Sequence, residues 1–416
     1  PIARLFLRRA VNYPGALAWL YGLQRFGIKL GLENIQRLIA VLRVDLGRAR
    51  VIHIAGTNGK GSVCAMIDSI LRAQKYRTGL FISPHLVTFR ERIRVNGEMI
   101  SKDAVANGLT TIRDLVRSWD PHPTFFEIAT ALALKHYSDA TIDVAILETG
   151  LGGRLDATNA VQSDVSVITS IAFDHQQWLG QSLREIATEK AGIIKQKIPV
   201  VSAPQASDAE KVIRTRAAEC RAPLQFVNDA YQKTSVGLSG EYQKQNAAVA
   251  IAALRAAKVD IDDSSIESGL ATIDWPARFQ RWDERTVIDG AHNPAAAHIL
   301  AETWLEIFSD HRATLILAIL SDKDLRGICE ALAPITDSVL LPKIRSERAA
   351  PPDELAKILS AITPPLPYLI TASIAAAIDS ARAKPNPILL TGSLHFAGEA
   401  LAYLHGEPAA FEECAQ

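Results

Sequence analysis

Short runs of β-branched and aliphatic residues recur along the chain between stretches with helical spacing. Val51-Ile52-His53-Ile54, Val144-Ala145-Ile146-Leu147, Val165-Ser166-Val167-Ile168 and Ile198-Pro199-Val200-Val201 form a first series. Each is apolar almost throughout rather than alternating, as a strand covered by helices on both faces must be. The spacing predicts a parallel α/β sheet. A second series follows with Thr286-Val287-Ile288-Asp289, Leu315–Leu320, Val339-Leu340-Leu341 and Ile388-Leu389-Leu390. An Ala-rich helical stretch and then Asp274-Trp275-Pro276-Ala277-Arg278 separate the two, and Pro276 disfavours helix at its predecessor. The expected organisation is therefore two domains, 1–274 and 275–416. Thr363-Pro364-Pro365-Leu366-Pro367 reads as a surface loop, and no solenoid-type repeat is present.

Composition narrows the partners. Of 416 residues, 48% are hydrophobic and 22% charged, enough for large cores, and Lys+Arg and Asp+Glu both number 45. No whole-chain field is left to hold nucleic acid or an anionic membrane, so small-molecule or nucleotide partners are expected. Cys64, Cys220, Cys329 and Cys414 lie far apart without C-x-x-C spacing, which suits reduced, cytoplasmic thiols. The opening Pro1–Arg9 is basic and apolar, but no signal-peptide core follows and no 18-residue apolar run exists; we expect neither secretion nor a membrane span. The missing initiator Met suggests a processed or trimmed start.

Chemistry concentrates where strands end. The first strand runs into Gly56-Thr57-Asn58-Gly59-Lys60-Gly61-Ser62, and Val63, Met66, Ile67, Ile70 and Leu71 then recur at helical spacing. Glycines let backbone amides turn toward phosphate oxygens, the helix N-terminus adds positive potential, Lys60 reaches terminal phosphates and Ser62 is a candidate metal contact. The loop departs from G-x-x-x-x-G-K-[ST]: Ile54 takes the first glycine position and Gly61 separates Lys60 from Ser62. An ordinary glycine turn before a helix is the competing reading, and no N-K-x-D motif supports a GTPase. Glu148 opens the run Glu148–Asn159 at a strand's carboxyl end, where ligands of parallel sheets bind, and a carboxylate there suits Mg²⁺. His175, after the following strand, lies at the same edge; a structural histidine is the alternative. Lys190 shares an apolar helix face with Leu183, Ile186, Ala187, Ile193 and Ile194. Such a lysine commonly snorkels. Kept from water, it would lose its proton readily and could take up CO₂ to form a carbamate, a carboxylate for a metal.

Five ordered segments, Ala55–Ser62, Phe81-Ile82-Ser83-Pro84-His85-Leu86, Arg90–Gly97, Glu148–Asn159 and Asp289-Gly290-Ala291-His292-Asn293-Pro294, closely resemble the folate-synthesising branch of the muramyl-peptide ligase superfamily, from about Tyr21 to Glu399. The resemblance implies a P-loop-type parallel-sheet N-terminal domain and a smaller Rossmann-like α/β C-terminal domain. It implies a ligase joining L-glutamate to dihydropteroate and to tetrahydrofolate polyglutamates through an acyl phosphate, with ATP and two Mg²⁺ ions, in a protein expected to be monomeric. Alternatives are an enzyme that only extends folate tails and a catalytically silent nucleotide-binding regulator. Residue by residue, the family's nucleotide loop falls on Gly56, Thr57, Asn58, Gly59, Lys60, Gly61 and Ser62, with further ATP contacts at Asn246, Arg278 and Asp289. Its metal ligands fall on Ser83, Glu148, His175 and a carbamylated Lys190. Its pteroate pocket falls on Thr124, Phe125, Phe126, Glu127, Leu155, Asp156 and Ala157, where aromatic rings offer flat apolar surface and a carboxylate can accept from pterin N–H donors; core packing is the other reading of the paired phenylalanines. His292 and Ser393 match positions near the glutamate pocket, and Lys60, His175, Lys190 and His292 are the expected catalytic groups.

Overall fold

A computed structural model describes residues 11–23 and 31–413; the opening segment Pro1–Arg9 and Cys414 lie outside the described residues. Eight strands build the first sheet: β1 (Arg50–Ala55), β2 (Thr78–Phe81), β3 (Ile93–Val95), β4 (Glu98–Met99), β5 (Val144–Glu148), β6 (Val165–Ile168), β7 (Val200–Ser202) and β8 (Leu224–Phe226). Their order is β4-β3-β2-β5-β1-β6-β7-β8. Six more, β9 (Gln280–Arg281), β10 (Thr286–Ile288), β11 (Ala313–Leu317), β12 (Thr336–Pro342), β13 (Tyr368–Thr371) and β14 (Ile388–Thr391), form a second sheet ordered β13-β12-β11-β14-β10-β9. The chain passes from one sheet to the other between the helix Asp263–Ala271 and β9.

The apolar strands are buried on both faces because successive side chains enter different cores. Ile52 and Ile54 pack with the helices Lys60–Ala73 and Glu241–Ala256, whereas Val51 and Ala145 pack with Phe125–Ala140 on the other side. The second sheet repeats the scheme: Val287, Leu315 and Leu389 enter one core, and Ile288, Ile316 and Leu390 the other. Among the described residues no helix is long and apolar enough to cross a membrane.

The sheets are parallel except at one edge of each. The expected parallel sheet is present in both units, and the antiparallel pairs β2–β3, β3–β4 and β9–β10 are added at those edges. Asn96 and Gly97, both at positive φ, make the tight β3–β4 hairpin. β7 begins after Pro199, which has no amide to donate, but Pro199 still accepts from Ser166. β11 stops at Leu317, so Ala318–Leu320, expected as strand, leave the sheet at its carboxyl edge. The helix bearing Lys190 ends at Ala191; Ile193 and Ile194, expected on its face, are buried just beyond it. Leu366, in the proline-rich loop, is buried in the second unit's core rather than exposed.

Candidate active site

β1 feeds the glycine loop directly into the helix Lys60–Ala73. Two of its glycines are obligatory. Gly56 has φ +151°, and a Cβ there would stand 1.9 Å from Thr169 Oγ1; Gly59 has φ +89°, and its Cβ would stand 2.8 Å from Asn246 Oδ1. Gly59 caps the helix without a side chain, so the first-turn amides keep their donors for a ligand. Lys60 Nζ donates to the carbonyls of Gly56 and Thr57, both at 3.2 Å, keeping its charge at the loop's mouth. Ser62 is buried in the helix's first turn, its hydroxyl accepting from Gln243 Nε2 at 3.4 Å. This loop fits a triphosphate: open backbone donors, a cation and no side chain in the cradle.

Glu148 ends β5, and its Oε2 accepts from the backbone amide of Ser83 at 3.1 Å. Burial pushes the Glu148 carboxyl up, against the lowering influence of Lys60, the Ser83 amide, Arg278 and Arg92. The Ser83 hydroxyl is buried with no hydrogen-bond partner among the described residues. A buried carboxylate beside an orphaned hydroxyl is a donor pair suited to a hard divalent cation. Among the described residues no group of three or more His, Cys, Asp or Glu side chains converges on one point, so remaining ligands would have to be phosphate oxygens and water, as Mg²⁺ prefers.

His175 adopts a left-handed conformation, φ +51°, at the start of the short helix Gln176–Leu179. Burial chiefly lowers its pKa to about 3, outweighing the opposing pull of Asp174, so its imidazole is neutral and free to bind a metal. Lys190 is buried and donates to Gly56 O at 2.7 Å. Burial, then the charge of Lys60, lowers its pKa to about 7. The predicted desolvation of this amine is therefore present, and it ties the helix Leu183–Ala191 to the phosphate loop.

From the other side, Arg278 lies over the loop: its Nη2 would be 3.7 Å from a Cβ on Gly61, and Trp275 Nε1 3.2 Å from the same point. Asn246 abuts Gly59 and donates to Gln243 Oε1 at 2.9 Å. Asp289 is committed to backbone, accepting from Phe279 N at 2.7 Å and Ala291 N at 2.8 Å. A cleft of about 210 Å³ is lined by Gly61, Ser83, Glu148, Trp275, Arg278 and Leu394. A larger cavity, about 630 Å³, opens at the amino ends of β1 and β5 and includes none of the candidate residues.

Sequence reasoning missed what joins the two units. Asp174 accepts from Lys323 Nζ at 2.6 Å and from Asn293 Nδ2 at 3.3 Å, and lies 3.4 Å from His292 Nε2. His292 Nδ1 is 2.8 Å from Gly290 O; a carbonyl only accepts, so Nδ1 carries a proton. Asn58 and Asn293 exchange amide hydrogen bonds at 3.2 and 3.0 Å. Asn293 stood within the Asp289–Pro294 segment, Asp174 directly precedes His175, and Lys323 follows β11 at a carboxyl edge, which was the available signal.

The pteroate candidates divide. Thr124 and Glu127 form a capping box, with Glu127 Oε2 accepting from Thr124 N at 2.8 Å and Oγ1 at 2.9 Å. Phe125 is core, stacked on Tyr21 at 5.7 Å, whereas Phe126 is half-buried against Phe81 and Gly150. Asp156 accepts from the amides of Gly150, Leu151 and Thr158, which shapes the Glu148–Asn159 turn; Ala157 is buried and Leu155 half-buried. Ser393 caps the helix Leu394–Leu404 and donates to Ala318 O at 3.1 Å.

A two-sheet fold with a phosphate loop facing a second α/β unit defines the Mur ligase class, and residues 54–221 match the Mur ligase middle domain while 277–394 match the Mur ligase glutamate ligase domain. The dihydrofolate synthase/folylpolyglutamate synthase of Bacillus subtilis is 35% identical over 92% of this chain and 97% of its own. Escherichia coli FolC in complex with DHPP and ADP superposes with a TM-score of 0.85 at 33% identity, over 95% of this chain and 98% of that one. The bifunctional Yersinia pestis synthase complexed with AMPPNP and Mn ion gives 0.86 at 32%, over 95% and 98%. The chain belongs to the dihydrofolate synthase/folylpolyglutamate synthase family.

Proposed function

We propose that this protein joins L-glutamate to dihydropteroate and to the glutamyl tails of folates, hydrolysing ATP to ADP and phosphate. The observation that carries this reading is the meeting of Gly61 of the phosphate loop with the Ser83–Glu148 pair in a cleft that Trp275 and Arg278 line from the other side, with buried Lys190 tied to the same loop at Gly56. A carboxylate is inert toward amines at neutral pH because its oxygen is a poor leaving group. Its attack on the γ-phosphorus releases ADP and makes an acyl phosphate; the glutamate nitrogen then attacks the acyl carbon, loses a proton and expels phosphate. Divalent cations, when bound, neutralise the triphosphate and the charge that develops in transfer.

The chain's own residues align these reactants. Lys60 and the loop amides hold the triphosphate, and Arg278 covers it from the second unit. Ser83 and Glu148 would hold one ion, and neutral His175 with a carbamylated Lys190 the other. The neutral amine supported by burial at Lys190 is the form that takes up CO₂. Phe126 and Leu155 present half-buried apolar surface for the pteroate, and His292 and Ser393 lie at the glutamate end. Closure excludes water that would hydrolyse the acyl phosphate. ATP, folate-type acceptors and buried thiols all suit the cytoplasm.

Phosphate release with ATP, L-glutamate and dihydropteroate, repeated with tetrahydrofolate, tests the assignment. Glutamate-dependent release with both acceptors is expected. Release with tetrahydrofolate alone would select tail extension only, and none with either would leave a nucleotide-binding regulator.

A further inference from the structure

The last described residues leave the second unit and return to the first. Past the helix Leu394–Leu404, Phe411 is buried with its ring edge-on to His395, centroids 5.0 Å apart. Glu412 then lies along the segment that follows Ser83. Its amide donates to Val87 O at 2.8 Å, and its carbonyl is 3.0 Å from His85 Nε2. One carboxylate oxygen, Oε2, accepts three hydrogen bonds: from Tyr13 OH at 3.0 Å, Thr88 Oγ1 at 3.0 Å and Phe89 N at 2.7 Å.

Each of these contacts has a fixed sense. Arg92 Nε can only donate, so His85 Nδ1, at 2.8 Å, accepts and His85 Nε2 carries the proton given to Glu412 O. The Glu91 carboxylate gathers the amides of Leu86, Val87 and Thr88 at 2.8–2.9 Å. Opposite the tail, the segment is pressed by the helix Leu394–Leu404: a Cβ on Gly398 would stand 1.9 Å from Leu86 O. Residues 83–89 are thus held between two parts of the C-terminal region. At their head sits Ser83, with its amide on Glu148 and its hydroxyl unpartnered. A tail that only covered apolar surface would need Phe411 and no carboxylate. A carboxylate oxygen that accepts three donors, two side-chain hydroxyls and a backbone amide, orients all of them.

We propose that Glu412 is a positioning residue for Ser83 in the ligase reaction assigned above, on which this inference rests: the C-terminal strap holds residues 83–89 so that the Ser83 hydroxyl and Glu148 face the divalent cation together. Its action passes through the backbone of Val87–Phe89, and Glu412 itself touches no substrate.

The full chain carrying Glu412→Ala, Glu412→Gln or Gly398→Ala tests this. Hydrogen exchange is followed in the metal-free, nucleotide-free protein, and phosphate release is titrated with Mg²⁺. In Glu412→Ala, amide exchange across 83–89 should quicken about tenfold or more while β1 and β5 are unchanged, and the Mg²⁺ concentration for half-maximal rate should rise about tenfold. The KM for L-glutamate should stay within about twofold. Glu412→Gln, which keeps an acceptor oxygen, should recover most of both effects. If Glu412→Ala does not fold, Gly398→Ala decides, because it displaces Leu86 from the other side and should raise the Mg²⁺ requirement selectively. Unchanged exchange, faster exchange with an unchanged Mg²⁺ requirement, or a Gly398→Ala enzyme with a normal Mg²⁺ requirement would overturn the proposal. A wild-type chain without glutamate-dependent release would instead overturn the ligase assignment, while the exchange measurement still reads the strap.

Discussion

Asp174→Asn should cripple the enzyme without touching the phosphate loop. The side chains of Asp174 and Lys323 are 5% and 6% exposed, with 2.6 Å between Oδ1 and Nζ, and they join the loop after β6 to the loop after β11. Asparagine keeps the shape and removes the charge, which strands the Lys323 ammonium in a buried site. Removing one partner of a buried pair costs about 3–5 kcal/mol. Because the pair spans a cleft that must close for reaction, the loss should appear in kcat/KM for ATP, as roughly 10²–10⁴-fold at ~1.4 kcal/mol per factor of ten. Lys323→Met should lose a comparable amount by stranding Asp174. The double variant strands neither charge, so it should fall no further than the worse single variant, a coupling of at least about 3 kcal/mol. Steady-state kinetics on the four proteins give the cycle. Losses that simply multiply would refute the idea that the pair acts as a unit. The pH dependence has a definite sign. Burial alone would raise the Asp174 carboxyl, but the contact with His292 and the ammonium of Lys323 hold it well below the usual carboxylate range. Its stabilisation is therefore complete above the ordinary value of 3.8 and is lost as the pH falls below that.

Three further outcomes follow from the site. Gly59→Ala forces a side chain into a positive-φ position and against Asn246, so binding of an ATP analogue, read by calorimetry, should weaken at least about tenfold. Ser83→Ala removes a buried hydroxyl that none of the described residues satisfies, so the melting temperature should hold or rise slightly while the Mg²⁺ requirement increases; a clear loss of stability would contradict the absence of a partner. With its pKa at about 7, Lys190 is roughly nine-tenths neutral at pH 8, so a carbamate signal from ¹³C-bicarbonate should be present there and fade as the pH drops through 7. Lys190→Ala should be inactive and partly restored by short carboxylates; full activity in that variant would remove the carbamate.

The central strands were legible because they are buried on both faces, which leaves apolar residues at every position of Val51–Ile54, Val144–Leu147 and Ile388–Leu390 but His53. β2 was not, since Gly79 breaks its apolar run; the glycine is there because the Tyr137 ring lies 2.9 Å from where a Cβ would be. β4 and β9 have only two residues each, too few for any period to show. In the site, Lys190 could be suspected from its apolar helix face, a local property. The Asp174–Lys323 pair could not, because its members are 149 residues apart and meet only when the two sheets face each other. Glu127 shows a motif with two readings: Thr124-Phe125-Phe126-Glu127 has capping-box spacing, and that local use engages its carboxylate.

Glu148 and Ser83 leave the empty protein thermodynamically frustrated. A carboxyl pushed up by burial and a hydroxyl without a partner among the described residues each raise the free energy of the folded chain on its own. What the fold forgoes there is returned by whatever satisfies those oxygens, as RT ln(1 + [L]/Kd) for a ligand that binds only the folded state. The melting temperature of this protein is thus a gauge of how full its site is, and the supply of nucleotide and divalent cation sets how long a molecule stays folded as well as how fast it turns over.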